Sequence, residues 1–366
     1  MPDQLGSYSQ EDVTFLLRDL SHVTLEKSTE EREKSIQTGK MHYSEMLPIE
    51  YQPNEDYIAL YEKILEQNAE KVAYCVAVVA EKMIAYRGVE QLILVSLARA
   101  GTPIGILLKR YFQTYYGVNV PHYSISIIRD RGIDETALHY ILQQHPHGKL
   151  QFVDGWTGKG AITQELEKSI TYWNQRNNPK LDAYIAVLAD PGHCAHFYGT
   201  QEDFLVPSAC LNSTVSGLVS RTVLNEALME KGDFHGAKYY RELEKFDVSN
   251  DYIESIVAYY TEVLMEQGKE ALKQEPILVT PTWQGIDNIK VIQHQFNIRN
   301  IHHIKPGVGE TTRVLLRRVP WKVLVNPNAQ QDLSHIYLLA EQRGVELETY
   351  TNMPYACCGL IKEFVK

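Results

Sequence analysis

Between residues 91 and 189, short apolar runs alternate with stretches of helical periodicity. The runs are 91–96, 122–128, 150–154 and 183–189, and the stretches between them are 102–116, 134–144 and 160–174. No other feature constrains the fold as much. Parallel strands need a crossover between them, so the alternation predicts βαβ units, a parallel sheet and helices on both of its faces. Ligands of such sheets bind beyond the carboxyl ends of the strands. Function is therefore expected in the turns that follow the apolar runs.

A similar pattern returns on a smaller scale near the end of the chain. Strands are expected at 301–305, 321–325 and 345–350, with helices at 309–319, 331–343 and 355–365. Glu275-Pro276 marks a break before it. Three units follow: a polar, partly ordered N-terminal arm over 1–50, an α/β body over 51–275 that opens with a long helical pattern at 55–86, and a compact α/β/α domain over 276–366.

Charge divides at the same place. Residues 276–366 hold 10 Lys+Arg against 7 Asp+Glu, and the rest of the chain holds 26 against 39. The net −10 argues against a nucleic-acid surface along the whole chain, while the mildly basic end suits a partner of its own. No apolar run reaches ~18 residues and no apolar leader opens the chain, so neither a membrane span nor a signal peptide is expected. Five cysteines without a C-x-x-C pair fit a reducing, cytoplasmic setting.

Two turns stand out. Run 150–154 ends in Asp154, and Gly155, Trp156, Thr157, Gly158, Lys159 and Gly160 follow it before a helix. Glycines there let backbone N–H groups face a small concavity, and the helix N-terminus adds partial positive charge; together they make a phosphate cradle. Thr157 adds a hydroxyl and Lys159 a charge, while Asp154 is placed for ribose hydroxyls or a hydrated Mg²⁺. The spacing matches neither a Walker A motif nor G-x-G-x-x-G, and an ordinary glycine-rich turn is the alternative. Run 91–96 leads into Ala98-Arg99-Ala100-Gly101-Thr102-Pro103, whose small residues permit a tight turn around an anion with Arg99 as counter-charge.

Two anion loops at neighbouring strand ends resemble the type I phosphoribosyltransferases. The resemblance implies that Arg99, Ala100, Gly101 and Thr102 hold the pyrophosphate of phosphoribosyl pyrophosphate (PRPP), and that 154–160 holds its ribose 5-phosphate. Asp154 would hold the ribose and the Mg²⁺. Gly155 stands where that family usually has a second acid. Most of the chain is also similar to the StiP-type proteins of tellurium-resistance and stress operons, on the stretches 154-DGWTGKGAIT-163 and 203-DFLVPSACLNSTVSGLVSRTVLN-225. These are named cysteine proteases. The fold implied is a phosphoribosyltransferase-type parallel sheet followed by a Pelota-like RNA-binding domain. The function expected from both resemblances is a phosphoribosyltransferase that makes or salvages a nucleotide-like metabolite. A non-catalytic PRPP or nucleotide sensor coupled to RNA is one alternative, and a cysteine hydrolase is the other.

An acceptor pocket is implied at Arg129 and Arg131, at Asp190 and His193, and at Ser208, Cys210, Asn212 and Arg221. Their plain readings are a solvated loop, surface histidines and a packed loop in which Cys210 is a small apolar residue. For the hydrolase, Cys210 would pair with His193, His196 or His235.

The stretch 305-KPGVGETTRVLLRRVPWKVLVNP-327 resembles Pelota-like and kink-turn RNA-binding domains, which carry a Gly-x-Asn-Glu-x-x-Lys-type motif. Gly307, Glu310 and Arg313 keep its glycine, acid and base, and Gly309 replaces the Asn. Structured RNA is therefore expected at Gly307, Gly309, Glu310, Arg313 and Arg317. Arg313 and Arg317 share a helix face, read as solvated. An oligomer is left open.

Overall fold

The computed structural model describes residues 2–50, 52 and 54–364. Its main sheet has six strands in the order Thr14–Phe15, His122–Ile125, Leu92–Leu97, Lys149–Val153, Ile185–Ala189 and Phe197–Thr200. Every neighbouring pair is parallel. Helices Gly101–Tyr116, Glu135–Gln144 and Ala161–Arg176 lie between the strands in sequence, as the alternation predicts. Leu92–Leu97 is buried along its whole length, which is the state of a strand covered on both faces.

The 33-residue helix Glu55–Arg87 packs on one side, burying Val72, Val76, Val79 and Met83 along one stripe. Its start is capped by the Asn54 side chain, which accepts from the Tyr57 N–H. A second core cluster is built around Leu138, Ile141, Phe152, Ile170 and Trp173. Because the strands are parallel, the segments after Leu97, Val153 and Ala189 emerge at one edge.

Two expectations are corrected. Residues 2–50, expected as part of a partly ordered arm, pack into the body. Thr14–Phe15 extends the main sheet, Arg18–Asp19 pairs with Gly236–Ala237, and Leu16, Leu17 and Leu20 are buried. Over the described part of 355–365, residues 355–364, there is no helix. Cys357–Ile361 is a strand at the centre of the second sheet, whose order is Ile304–Pro306, Cys357–Ile361, Pro320–Val325 and Glu346–Thr349. All five of its residues are buried. A strand covered on both faces shows no alternation of polar and apolar residues, so its period cannot be told from that of a buried helix.

Helices Gln284–Gln295, Val308–Arg317 and Ser334–Arg343 complete this C-terminal unit. It sits on the carboxyl edge of the main sheet. The Tyr355 hydroxyl donates to the Gly158 carbonyl at 3.1 Å, and the Gly285 N–H donates to the Gly192 carbonyl at 3.1 Å. Arg318 pairs with Glu33 of helix Thr29–Gln37. Among the described residues no helix is long and apolar enough to cross a membrane.

Candidate anion-binding site

The turn after Leu92–Leu97 and the turn after Lys149–Val153 lie against each other. A Cβ on Gly101 would come within 2.3 Å of the Val153 carbonyl oxygen, so only glycine permits this approach. The Ala98–Arg99 peptide is cis. Together with the C-terminal unit, the two turns enclose a cavity of about 320 Å³.

The wall of this cavity is cationic. Arg32, Arg99, Arg129, Lys159, Arg221, Lys305, Arg313, Arg317 and Arg318 line it, against the carboxylates of Asp154 and Glu310. Some of these cations are already engaged. Arg99 Nη1 donates to Glu50 at 3.2 Å and to the Val219 carbonyl at 2.8 Å. Arg313 stacks over Trp156 at 4.2 Å from the ring centroid and reaches Glu310 at 3.6 Å. Arg129 and Arg221 flank the Tyr43 ring.

Other donors have no partner. The Nε atoms of Arg32, Arg221, Arg313 and Arg317, and Nη1 of Arg32, are buried without a hydrogen bond. Burial pulls Arg32 down to about 10 and Arg221 to about 9, with neighbouring arginines adding to both shifts. Arg317 is pushed well below its usual value by burial, then by Arg313 and Arg99. Guanidinium groups keep their proton in proteins. These shifts therefore describe an accumulation of positive charge that an anion would relieve. Burial would raise Glu310, yet Lys305, Arg313 and Arg317 outweigh it and hold the carboxyl at about 2.

Asp154 behaves differently. Its carboxylate accepts from the Gly155 N–H at 2.8 Å, but burial pushes it up to about 6, with Gly155 and Arg313 opposing. A folded-state value above the unfolded one means that the fold holds this proton more tightly. The contribution is present at low pH and is lost as pH rises between about 4 and 6. Asp154→Asn is therefore expected to be more stable than the parent at pH 7 by about 1–3 kcal/mol, and by much less at pH 4.5. Urea melts at the two pH values check this; an equal difference at both would contradict it.

Other expected site residues are placed elsewhere. Lys159 lines the cavity, but its ammonium is spent on the C-terminal unit: it donates to the Ile304 carbonyl at 2.9 Å and also to the Ile301 carbonyl. Thr157 donates to Asp190, which also accepts from the Cys194 N–H at 2.8 Å and the Ala195 N–H at 3.1 Å. Asp190 thus organises a turn and does not face the cavity. His193 hydrogen-bonds Gln201, and Arg131 pairs with Glu45. Ser208, Cys210 and Asn212 lie in the packed segment and are absent from the wall. Ala100 and Gly160 line the cavity with Trp156, Thr157 and Gly158.

The expected RNA site needs the largest correction. The face carrying Arg313 and Arg317 is not solvated; it forms part of the cavity wall. A Cβ on Gly309 would meet the Trp156 ring at 2.7 Å, so Gly309 allows the body to pack against this helix. The helix N-terminus at Gly307–Val308 already holds an anion, the carboxylate of Asp203. It accepts from the Val308 N–H at 2.9 Å and the Ala356 N–H at 2.8 Å. Sequence reasoning missed Asp203, Arg32, Tyr43, Lys305 and Arg318. Arg32 sits in the charged run 28-STEEREKS-35, which reads as solvent-facing and carries no signal of burial.

The Mg²⁺ expected at Asp154 does not fit a resident site. Asp154 already accepts a backbone N–H, the other carboxylate of the cavity, Glu310, is paired with Lys305 and Arg313, and no group of three or more His, Cys, Asp or Glu among the described residues is arranged to hold a metal ion.

Comparison with known proteins agrees with this division of the chain. The profile of a family described as tellurite-like stress resistance cysteine protease StiP matches residues 6–257. The profile of the PELOTA RNA binding domain matches residues 283–363. A protein of Acinetobacter baylyi (strain ATCC 33305 / BD413 / ADP1) named cysteine protease StiP is 34% identical over 371 residues, covering 99% of this chain and 95% of its own length. These matches correct the transferase expectation. Both the family and the relative carry the name of a cysteine protease, and neither carries that of a phosphoribosyltransferase. The cysteine-hydrolase alternative fits the names better. PRPP and transferase chemistry are withdrawn.

Proposed function

This chain belongs to the StiP family, and from that premise we propose that it binds a small phosphorylated ligand, of nucleotide type, between its body and its Pelota-like domain. The observation that carries this reading is the set of buried, unpartnered guanidinium nitrogens on Arg32, Arg221, Arg313 and Arg317 around one cavity. Leaving such donors unmet is costly, and oxygens of a phosphate suit them in number and charge. A cavity of about 320 Å³ falls at the small end of ligand pockets. Asp154 is the polar group at hand for a sugar. A phosphoribosyltransferase-type sheet enters this reading only as a scaffold: two loops at adjacent strand ends, without the transfer reaction.

Thermal unfolding tests the reading. A nucleoside diphosphate at about 100 times its Kd should stabilise the chain by about 2.7 kcal/mol, and the parent nucleoside should do nothing. Equal shifts with both would remove it.

A second reading, a cysteine hydrolase, is favoured by the family description and by the relative's name. In this chain the thiol of Cys210 is buried and pushed up to about 12 by that burial. One ring nitrogen, Nδ1, of each candidate histidine is engaged: that of His193 with Gln201, that of His235 with Ser126 at 2.9 Å, and that of His196 with the Ile185 N–H at 3.5 Å. Hydrolysis by Cys210 would need an opening that exposes the thiol to a histidine. We expect iodoacetamide at neutral pH to modify native Cys210 slowly, and to modify it readily after denaturation. Rapid labelling of the native chain would instead establish an activated thiolate and put the hydrolase first.

A further inference from the structure

RNA affinity comes mainly from cations that neutralise phosphates. The cations of residues 276–366 are few, and most have a place. Lys290 pairs with Asp287 at 3.0 Å, and Lys322 pairs with Glu346 and Glu348 on the neighbouring strand. Neither lysine lines the cavity. The remaining concentration is Lys305, Arg313, Arg317 and Arg318, and all four line the cavity. The helix N-terminus beside them is occupied by Asp203, a carboxylate from the body held by two N–H groups of the Pelota-like domain.

We infer that RNA and the small phosphorylated ligand use the same arginines and therefore exclude one another. The inference rests on the ligand reading above. Two observations carry it: residues 283–363 match an RNA-binding domain, and the domain's concentrated positive face is the cavity wall, so the phosphates of either ligand would meet the same guanidinium groups. Asp203 is in this account an internal anion at the place an RNA phosphate would take. RNA must displace it, whereas the small ligand leaves it in position.

The linkage is reciprocal: whatever factor one ligand imposes on the other, it receives in return. The full chain supplies the test. A fluorescent structured RNA is titrated with the chain at low salt, and then again with pyrophosphate present at constant ionic strength. Pyrophosphate at about ten times its own Kd should weaken apparent RNA affinity about tenfold. Arg313→Ala with Arg317→Ala should weaken both ligands, and Lys290→Ala, outside the cavity wall, should weaken neither. Asp203→Asn should strengthen RNA binding if the variant folds; the wild-type competition needs no variant.

The outcomes separate cleanly. If pyrophosphate binds and RNA affinity does not change, the exclusion is wrong and the ligand reading stands. If neither pyrophosphate nor a nucleotide binds, the ligand reading fails and takes the exclusion with it. If RNA does not bind even at low salt, the exclusion is wrong whatever pyrophosphate does.

Discussion

Changing Arg313 and Arg317 together to alanine is expected to lower affinity for a phosphorylated ligand by about 10²–10⁴-fold. Hydrogen bonds to charged groups contribute about 1.5–3 kcal/mol each, and 1.4 kcal/mol is tenfold in affinity. Both guanidinium groups have a buried Nε with no partner, so neither is committed to holding the fold through that atom. The two differ in what else they do. Arg313 also stacks on Trp156 and faces Glu310, so its loss removes packing as well as charge. Arg317 is the cleaner probe. Arg317 is crowded by Arg313 and Arg99, and replacing a charge so placed by an apolar side chain of similar length is often neutral or stabilising. Arg317→Met should therefore melt no lower than the parent while binding ligand about 10–100-fold more weakly. A structural arginine would behave in the opposite way, with stability lost and affinity kept. Calorimetric titration and a thermal melt of the same variant read the two quantities separately.

The second large effect is expected at Asp203. Its carboxylate satisfies the N–H groups of Val308 and Ala356 across the seam between body and Pelota-like domain. Asp203→Ala leaves both donors buried and unmet, at a cost of about 3–5 kcal/mol. The loss should appear first at the seam. Limited proteolysis should cut the variant near residues 275–283, where the chain passes between the two sheets, well before it cuts the parent. If the variant resists proteolysis as the parent does, Asp203 is not what keeps the domains together. Burial pushes Asp203 up to about 6, with the two N–H groups opposing. Its protonated form is thus favoured in the fold, and the difference between parent and Asp203→Ala should depend on pH between about 4 and 6.

The parallel sheet and its two glycine turns were legible because their signal is local. Strand, turn and helix each leave a period in the sequence, and Asp154 and Arg99 sit where those periods break. The parts that were not legible depend on what packs against what. Cys357–Ile361 is buried on both faces, so nothing in its pattern separates strand from helix. Arg313 and Arg317 lie on a cationic helix face, which reads as solvated unless another domain is known to cover it. Arg32 and Glu33 lie in a charged run, yet both are buried and Glu33 pairs with Arg318. Lys159 follows the glycines as a phosphate-binding lysine would, but its ammonium holds two carbonyls of the neighbouring domain. For Arg313, Glu33 and Lys159 the residue type was informative and its partner was not, because the partner lies more than a hundred residues away in the chain.

The most direct test of the central claim is calorimetric titration of the full chain with a nucleoside diphosphate and with the same nucleoside without phosphate, at low and at moderate salt. One site is expected for the diphosphate, weaker at the higher salt, with no heat from the nucleoside and no detectable site in Arg313→Ala/Arg317→Ala. Absence of binding by the diphosphate at low salt, or unchanged binding by the double variant, would contradict the claim.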